Sequence, residues 1–190
     1  LNVTDLVLDD DNVSLQDMTG IEAFISLVNL ELVSSSVSQL NVSNLTMLEN
    51  LKIQTGNILS ELDLSNCTSL KFLHVLGNEL TELDLSNNNQ LVEVQCTGNQ
   101  LSSIDLPSTN TLEYLWINNN NFTVLDVSNN PNLNVLICSN NNFPNLDVSN
   151  NPNLYMLDCG DNNISNLTLP NSSSLAYLTC DNNNLTDLDL

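Results

Sequence analysis

Asp63, Asp84, Asp105, Asp126 and Asp147 recur at intervals of 21 residues, and Cys96, Cys138, Cys159 and Cys180 fall on a second position of the same period. A row of carboxylates is the hard oxygen donor set that Ca²⁺ takes. Such a row also repels itself, by about 1 kcal/mol per neighbour in water. Two arrangements offset that repulsion: each Asp accepts hydrogen bonds from the nearby Ser or turn N–H groups, or Ca²⁺ binds along the row. The first is favoured, because calcium-binding nonapeptide repeats are Gly-rich and this chain has five Gly. No cofactor is expected, and calcium is the one candidate.

One Cys per period puts the thiols in a row rather than around a point, and no His joins them, which is unlike a zinc site. Neighbouring parallel strands rarely offer disulfide geometry. The ladder thiols therefore read as small buried hydrophobes. Cys67 lies off that ladder, in the connector "SNCTSL", and is expected to be the more reactive thiol. His74 is the only histidine. Its expected neighbours are Lys52 and Gln95, and no nucleophile with a carboxylate-oriented base can be assembled around it. The chain does not read as an enzyme.

The elements that carry these residues follow from the repeat. "LDLS" or a variant starts at Leu62, Leu83, Ile104, Leu125, Leu146, Leu167 and Leu188. Between these anchors runs Leu70, Leu73, Val75, Asn78, Leu80, repeated through Leu175, Leu178, Cys180, Asn183, Leu185. Upstream, Leu48, Leu51, Ile53, Asn57, Leu59 fits with one inserted residue. Leu27, Leu30, Leu32, Ser35, Val37 fits with Ser in the Asn place, and "DLVLDDDNV" is a degenerate copy. Alternating apolar residues predict a short strand, and successive copies pair in parallel about 4.7–4.9 Å apart. Connections this short leave no room for a long helix.

The motif L-x-x-L-x-[LVIC]-x-x-N-x-L resembles the leucine-rich repeat family, over nearly the whole chain. The period and the Cys at the sixth position resemble the cysteine-ladder, internalin J-like subgroup of bacterial surface repeats. The Asn-rich "LDVSNNPNL" connectors are similar to those of Bacteroidetes-type surface proteins. The resemblance implies a leucine-rich repeat solenoid, with a parallel sheet on the concave face and short strands, turns and little helix on the convex face. It also implies a non-catalytic recognition module, secreted or at the cell surface, that binds a host protein, matrix or glycan.

The Asn at each turn, Asn78 to Asn183, is expected to bond the backbone of its own and the next turn, since an amide both donates and accepts. One repeat alone cannot offset the entropy of ordering its backbone, so neighbours must cover both sides. Residues 1–26 read as an N-terminal cap with a degenerate first repeat, where "TGIE" (Thr19 to Glu22) has capping-box spacing for a short helix through Phe24. Residues 27–190 read as leucine-rich repeats with the last truncated. The chain opens without a signal segment and stops mid-repeat, so it reads as a fragment of a larger protein, expected to be monomeric.

Residues between the inward positions face outward in two rows. One runs Asn29, Asn50, Phe72, Glu93, Tyr114, Val135, Met156, Tyr177. The other runs Glu31, Lys52, His74, Gln95, Trp116, Ile137, Asp158, Thr179, with Tyr155 joining from the edge. The candidate binding residues are Phe72, His74, Tyr114, Trp116, Val135, Ile137, Tyr155, Met156 and Tyr177. Aromatic side chains of ~150–250 Å² each make a patch of the size that marks a partner site. A protein or a carbohydrate ligand suits it, the flanking amides being fit for sugar hydroxyls. A net charge of −21, with Lys52 and Lys71 the only basic residues, argues against nucleic acid and anionic membranes. No apolar run is long enough to insert in a bilayer. The alternative role is an acidic spacer, or a calcium-stabilised repeat domain of a larger surface protein or enzyme.

Overall fold

A computed structural model describes residues 2–9, 18–33, 36–54 and 58–188. The strands, in chain order, are β1 (Asp5–Asp9), β2 (Asn29–Val33), β3 (Asn50–Ile53), β4 (Phe72–Val75), β5 (Glu82–Asp84), β6 (Glu93–Gln95) and β7 (Ser103–Asp105), followed by β8 (Tyr114–Trp116), β9 (Val135–Ile137), β10 (Asn145–Asp147), β11 (Met156–Asp158), β12 (Asn166–Thr168) and β13 (Tyr177–Thr179). Nine of them form one parallel sheet in the order β1-β2-β3-β4-β6-β8-β9-β11-β13. Each turn of chain adds one strand to this sheet. The pairs β5-β7 and β10-β12 form two small parallel sheets on the opposite flank. This is a leucine-rich repeat solenoid with almost no helix.

The core lies between the flanks. Leu73, Leu115, Leu136 and Leu157 point inward from the large sheet and are fully buried. Leu83 and Leu146 close the core from the other flank. Phe122 and Phe143 stack in the interior at 6.2 Å between ring centres and 3° between planes. Pro144 interrupts the second flank. Ser102 and Ser165 each donate a backbone N–H to the preceding turn, to Thr81 O and Pro144 O. Pro144 has no N–H to offer Thr123 in the same way, and no strand pairing joins the two small sheets.

The Asn ladder closes the turns, with one difference from expectation. Each amide bonds its own turn and the preceding one, not the next. Asn120 Oδ1 accepts the N–H of Leu101 at 3.0 Å, and its Nδ2 donates to Cys96 O and Ile117 O at 3.0 and 3.1 Å. Asn141 and Asn162 repeat the pattern one turn on. Asn57 and Ser35, the upstream members, lie outside the described residues, as do residues 10–13 of the degenerate first copy.

The residue before each ladder Asn carries a signal of its own. Gly77, Gly98, Asn119, Asn140, Asp161 and Asn182 all have positive φ, between 51° and 72°. Gly, Asn and Asp tolerate this left-handed region best. The recurring "GN", "NN" and "DN" pairs are therefore one left-handed residue followed by one ladder amide, buried in all but the last turn.

"TGIE" forms a single 3₁₀ turn, Ile21–Ala23, ending at Phe24. Gly20 rather than Thr19 is its N-cap, and the Gly20 N–H donates to Glu22 Oε2 at 3.0 Å. Among the described residues no helix is long and apolar enough to cross a membrane.

Candidate functional site

The strand register sets the outward face. Phe72, Glu93, Tyr114, Val135, Met156 and Tyr177 are successive partners across the large sheet, and His74, Gln95, Trp116, Ile137, Asp158 and Thr179 form the parallel row. Both rows follow the register that the 21-residue period predicts.

The face divides into two halves of different chemistry. On β1 to β6 the polar groups satisfy one another. Asn50 donates to Asn29, which donates to Asp5. Lys52 Nζ lies 2.6 Å from Glu31 Oε1, and Lys71 Nζ lies 2.9 Å from Glu49 Oε2. His74 Nε2 lies 2.8 Å from Glu93 Oε1, which also accepts a bond from Gln95 at 2.8 Å. His74 thus pairs across to Glu93 rather than to its row neighbours Lys52 and Gln95. Phe72 is exposed beside it, over a shallow hollow of 260 Å³ floored by Asn50 and Lys52.

From β8 onward the outward residues are mostly apolar, with Asp158 and Thr179 the polar members of the row. Tyr114, Trp116, Val135, Ile137 and Met156 are half-buried, and Tyr155 and Tyr177 are exposed. The Tyr114 and Trp116 rings stack at 5.8 Å and 11°. Tyr155 and Tyr177 meet edge to face at 5.3 Å. A shallow groove of 570 Å³ runs along the start of these strands between Glu113, Asn134, Asn153 and Tyr155. Seven of the nine candidate residues therefore share one surface. Phe72 and His74 stand apart from it, with polar Glu93 and Gln95 on β6 between.

The acidic row lies on the opposite flank and is exposed. The Oδ1 atoms of Asp63, Asp84, Asp126 and Asp147 accept the N–H of Ser65, Ser86, Ser128 and Ser149, each at 2.9 Å. The same Ser side chains and N–H groups hold these four carboxyls below the usual carboxylate range. Asp105 is followed by Leu106 and Pro107, so no N–H stands at the capping position. The hydrogen-bond arrangement thus holds at four of the five positions. Among the described residues no three His, Cys, Asp or Glu side chains gather as metal ligands would.

The thiols correct one expectation. Cys96, Cys138 and Cys159 are fully buried, but so is Cys67. Burial pushes the Cys67 thiol up to about 11 and those of Cys96 and Cys159 to about 12. Cys67 is therefore not the reactive thiol. It points inward at a second buried position, shared by Asn88, Asn130 and Asn151 in later turns. Cys180, immediately after the last strand of the sheet, is the only cysteine that is not buried.

That second ladder escaped the sequence reading. Asn88 Nδ2 donates to Leu64 O and Cys67 O, and Asn151 Nδ2 to Val127 O and Asn130 O, at 2.9 to 3.0 Å. The third residue of each "SNN" recurs with the same period as the anchors, and that recurrence is the signal.

No family model and no curated protein matches the chain. Solved structures do. The functional domain of InlJ from Listeria monocytogenes, which includes a cysteine ladder, is 33% identical over 98% of this chain and 46% of that one, with a TM-score of 0.74. YopM from Yersinia enterocolitica is 27% identical over 99% of this chain and 40% of that one, with a TM-score of 0.82. A leucine-rich repeat protein of Leptospira interrogans, 23% identical over 99% of this chain and 63% of that one at a TM-score of 0.57, shares the fold. The chain spans under half the length of the first two.

Proposed function

We propose that the chain is a non-catalytic recognition module that binds a partner through the half of its concave face built by β8, β9, β11 and β13. The observation that carries this reading is the contrast between the two halves. Polar side chains of the first half are paired with one another, while β8, β9, β11 and β13 present an aromatic and aliphatic surface bordered by Asp158 and Thr179. Such a surface costs free energy in water and recovers it when covered. Trp and Tyr are the side chains that anchor protein interfaces.

A protein ligand fits better than a sugar. Stacking of Tyr114 on Trp116 uses a face of each ring, and Val135, Ile137 and Met156 offer aliphatic surface rather than hydrogen bonds. A protein of this kind suits a secreted or cell-surface setting in a bacterium, where adhesion to a host or matrix protein is the corresponding role. The single histidine is held by a carboxylate and the thiols line the interior, which supports a binding role over a catalytic one.

Binding to protein and glycan arrays tests the reading. Partners bound by the wild type and lost in Trp116→Ala and Tyr114→Ala support it. Partners retained by both variants place the site elsewhere.

A further inference from the structure

The apolar surface has an acidic border, and one glycine shapes it. Asp158 continues the row after Trp116 and Ile137, with Ile137 as its direct strand partner. Two residues later comes Gly160, itself buried, where the preceding turns carry the half-buried Leu76, Thr97, Asn118 and Ser139. A Cβ at Gly160 would meet Asp181 Oδ1 at 3.0 Å and Asp158 Oδ1 at 3.5 Å. The absent side chain thus lets two carboxylates from adjacent turns face one spot at the edge of the aromatic patch.

The two acids are fixed there by different partners. Asp158 Oδ1 accepts the Gly160 N–H at 3.2 Å, and its Oδ2 accepts the Ser139 hydroxyl at 2.9 Å. Asp181 Oδ2 accepts Asn182 Nδ2 at 3.1 Å. These are neutral donors, so the negative charge of both groups stays uncompensated. No cation of this chain can compensate it. Lys52, Lys71 and His74 are the only candidates, all three lie on or beside β3 and β4, and each already faces a Glu. After His74 the chain contains no Lys, Arg or His.

The geometry points to a partner of one chemistry: a protein segment whose apolar side chains cover Trp116, Ile137 and Met156 while a Lys or Arg enters between Asp158 and Asp181. This inference rests on the recognition role proposed above and names the class of its ligand. An ion pair formed at the edge of an apolar contact sits in a lower dielectric than open water and gains accordingly. Field and shape act together: the acidic chain draws basic segments in, and the patch selects those with apolar neighbours. A neutral glycan carries no charge to answer the carboxylate pair.

The test is selection of displayed random peptides on the whole chain, with counter-selection on Trp116→Ala. The expected peptides carry Lys or Arg beside aromatic or aliphatic residues. Their affinity falls tenfold or more in Asp158→Asn and in Asp181→Asn, and is unchanged in Asp126→Asn, which removes a charge from the opposite flank. Asn is isosteric with Asp and keeps an oxygen for the Gly160 N–H, and a melting curve on each variant verifies folding. Trp116-dependent peptides that lack a cation, or that bind both Asp variants at wild-type strength, overturn the inference and leave the recognition role standing. Peptides that weaken equally in Asp126→Asn overturn it too, since general charge attraction then suffices. If no selected peptide depends on Trp116, both the inference and the recognition role fall.

Discussion

Asn88 donates its amide to the carbonyl of Cys67 at 2.9 Å, and the two residues occupy the same inward point of successive turns. A thiol and an amide thus fill equivalent sites on the interior of one solenoid. Cys67 bonds weakly to Val42 O, at 3.6 Å, much as the amides bond the turn before them.

Thiol chemistry should follow that placement. Under native conditions a maleimide is expected to label Cys180 first. Cys67, Cys96, Cys138 and Cys159 should react only as fast as the solenoid opens, because each is buried with its thiolate disfavoured. Mass spectrometry of a labelling time course reads the order. Early modification of Cys67 would contradict its inward position.

The two Asn ladders should be costly to break. Asn120→Ala strips the buried Leu101 N–H of its partner, while the carbonyls of Cys96 and Ile117 each lose one of two amide donors and keep Asn99 and Asn141. An orphaned buried N–H costs about 1–3 kcal/mol, and a loss in that range is expected in urea unfolding. A change under about 0.5 kcal/mol would mean that water replaces the amide.

Asn119 separates backbone from side-chain effects. Its φ of 56° is the conformation that Gly77 and Gly98 adopt at the same point of earlier turns. Asn119→Gly should leave stability nearly unchanged. Asn119→Val should cost about 1–2 kcal/mol, the penalty for a β-branched residue in the left-handed region. Thermal melting of the pair reads the difference.

Four carboxylates set an acid limit. Asp63, Asp84, Asp126 and Asp147 are held below the ordinary value of 3.8 by their Ser partners. A depressed folded-state pKa stabilises the fold above the unfolded value, and that contribution disappears as pH falls through the folded value. These turns should therefore hold at pH 5 and weaken below about pH 4. A carbon-detected NMR titration should find the four midpoints below 3.8. Removing Ca²⁺ should leave the melting temperature unchanged, since hydrogen bonds already offset the charge row.

Much of this architecture is legible in the sequence because the solenoid is nearly one-dimensional. Once the period is found, the inward Leu115, the turn at Asn120 and the outward Trp116 follow together. What escaped has specific causes. Asn is seldom fully buried, so Asn88, Asn130 and Asn151 passed as connector residues, and Cys67 with them. The left-handed residues hid in the doubled asparagines, where two different roles share one residue type. The division of the outward face arises from pairing between strands 21 residues or so apart, such as Lys52 with Glu31, which a position-by-position reading does not weigh. Gly160 showed its purpose only when the carboxylates on either side were placed.

The sole tryptophan gives the most direct test of the concave face as the binding surface. Trp116 is half-buried and carries all of the indole fluorescence of the chain. A partner bound there, with binding established separately by calorimetry, should shift its emission to the blue and shield it from acrylamide. Calorimetric saturation with Trp116 emission and quenching unchanged would contradict the account.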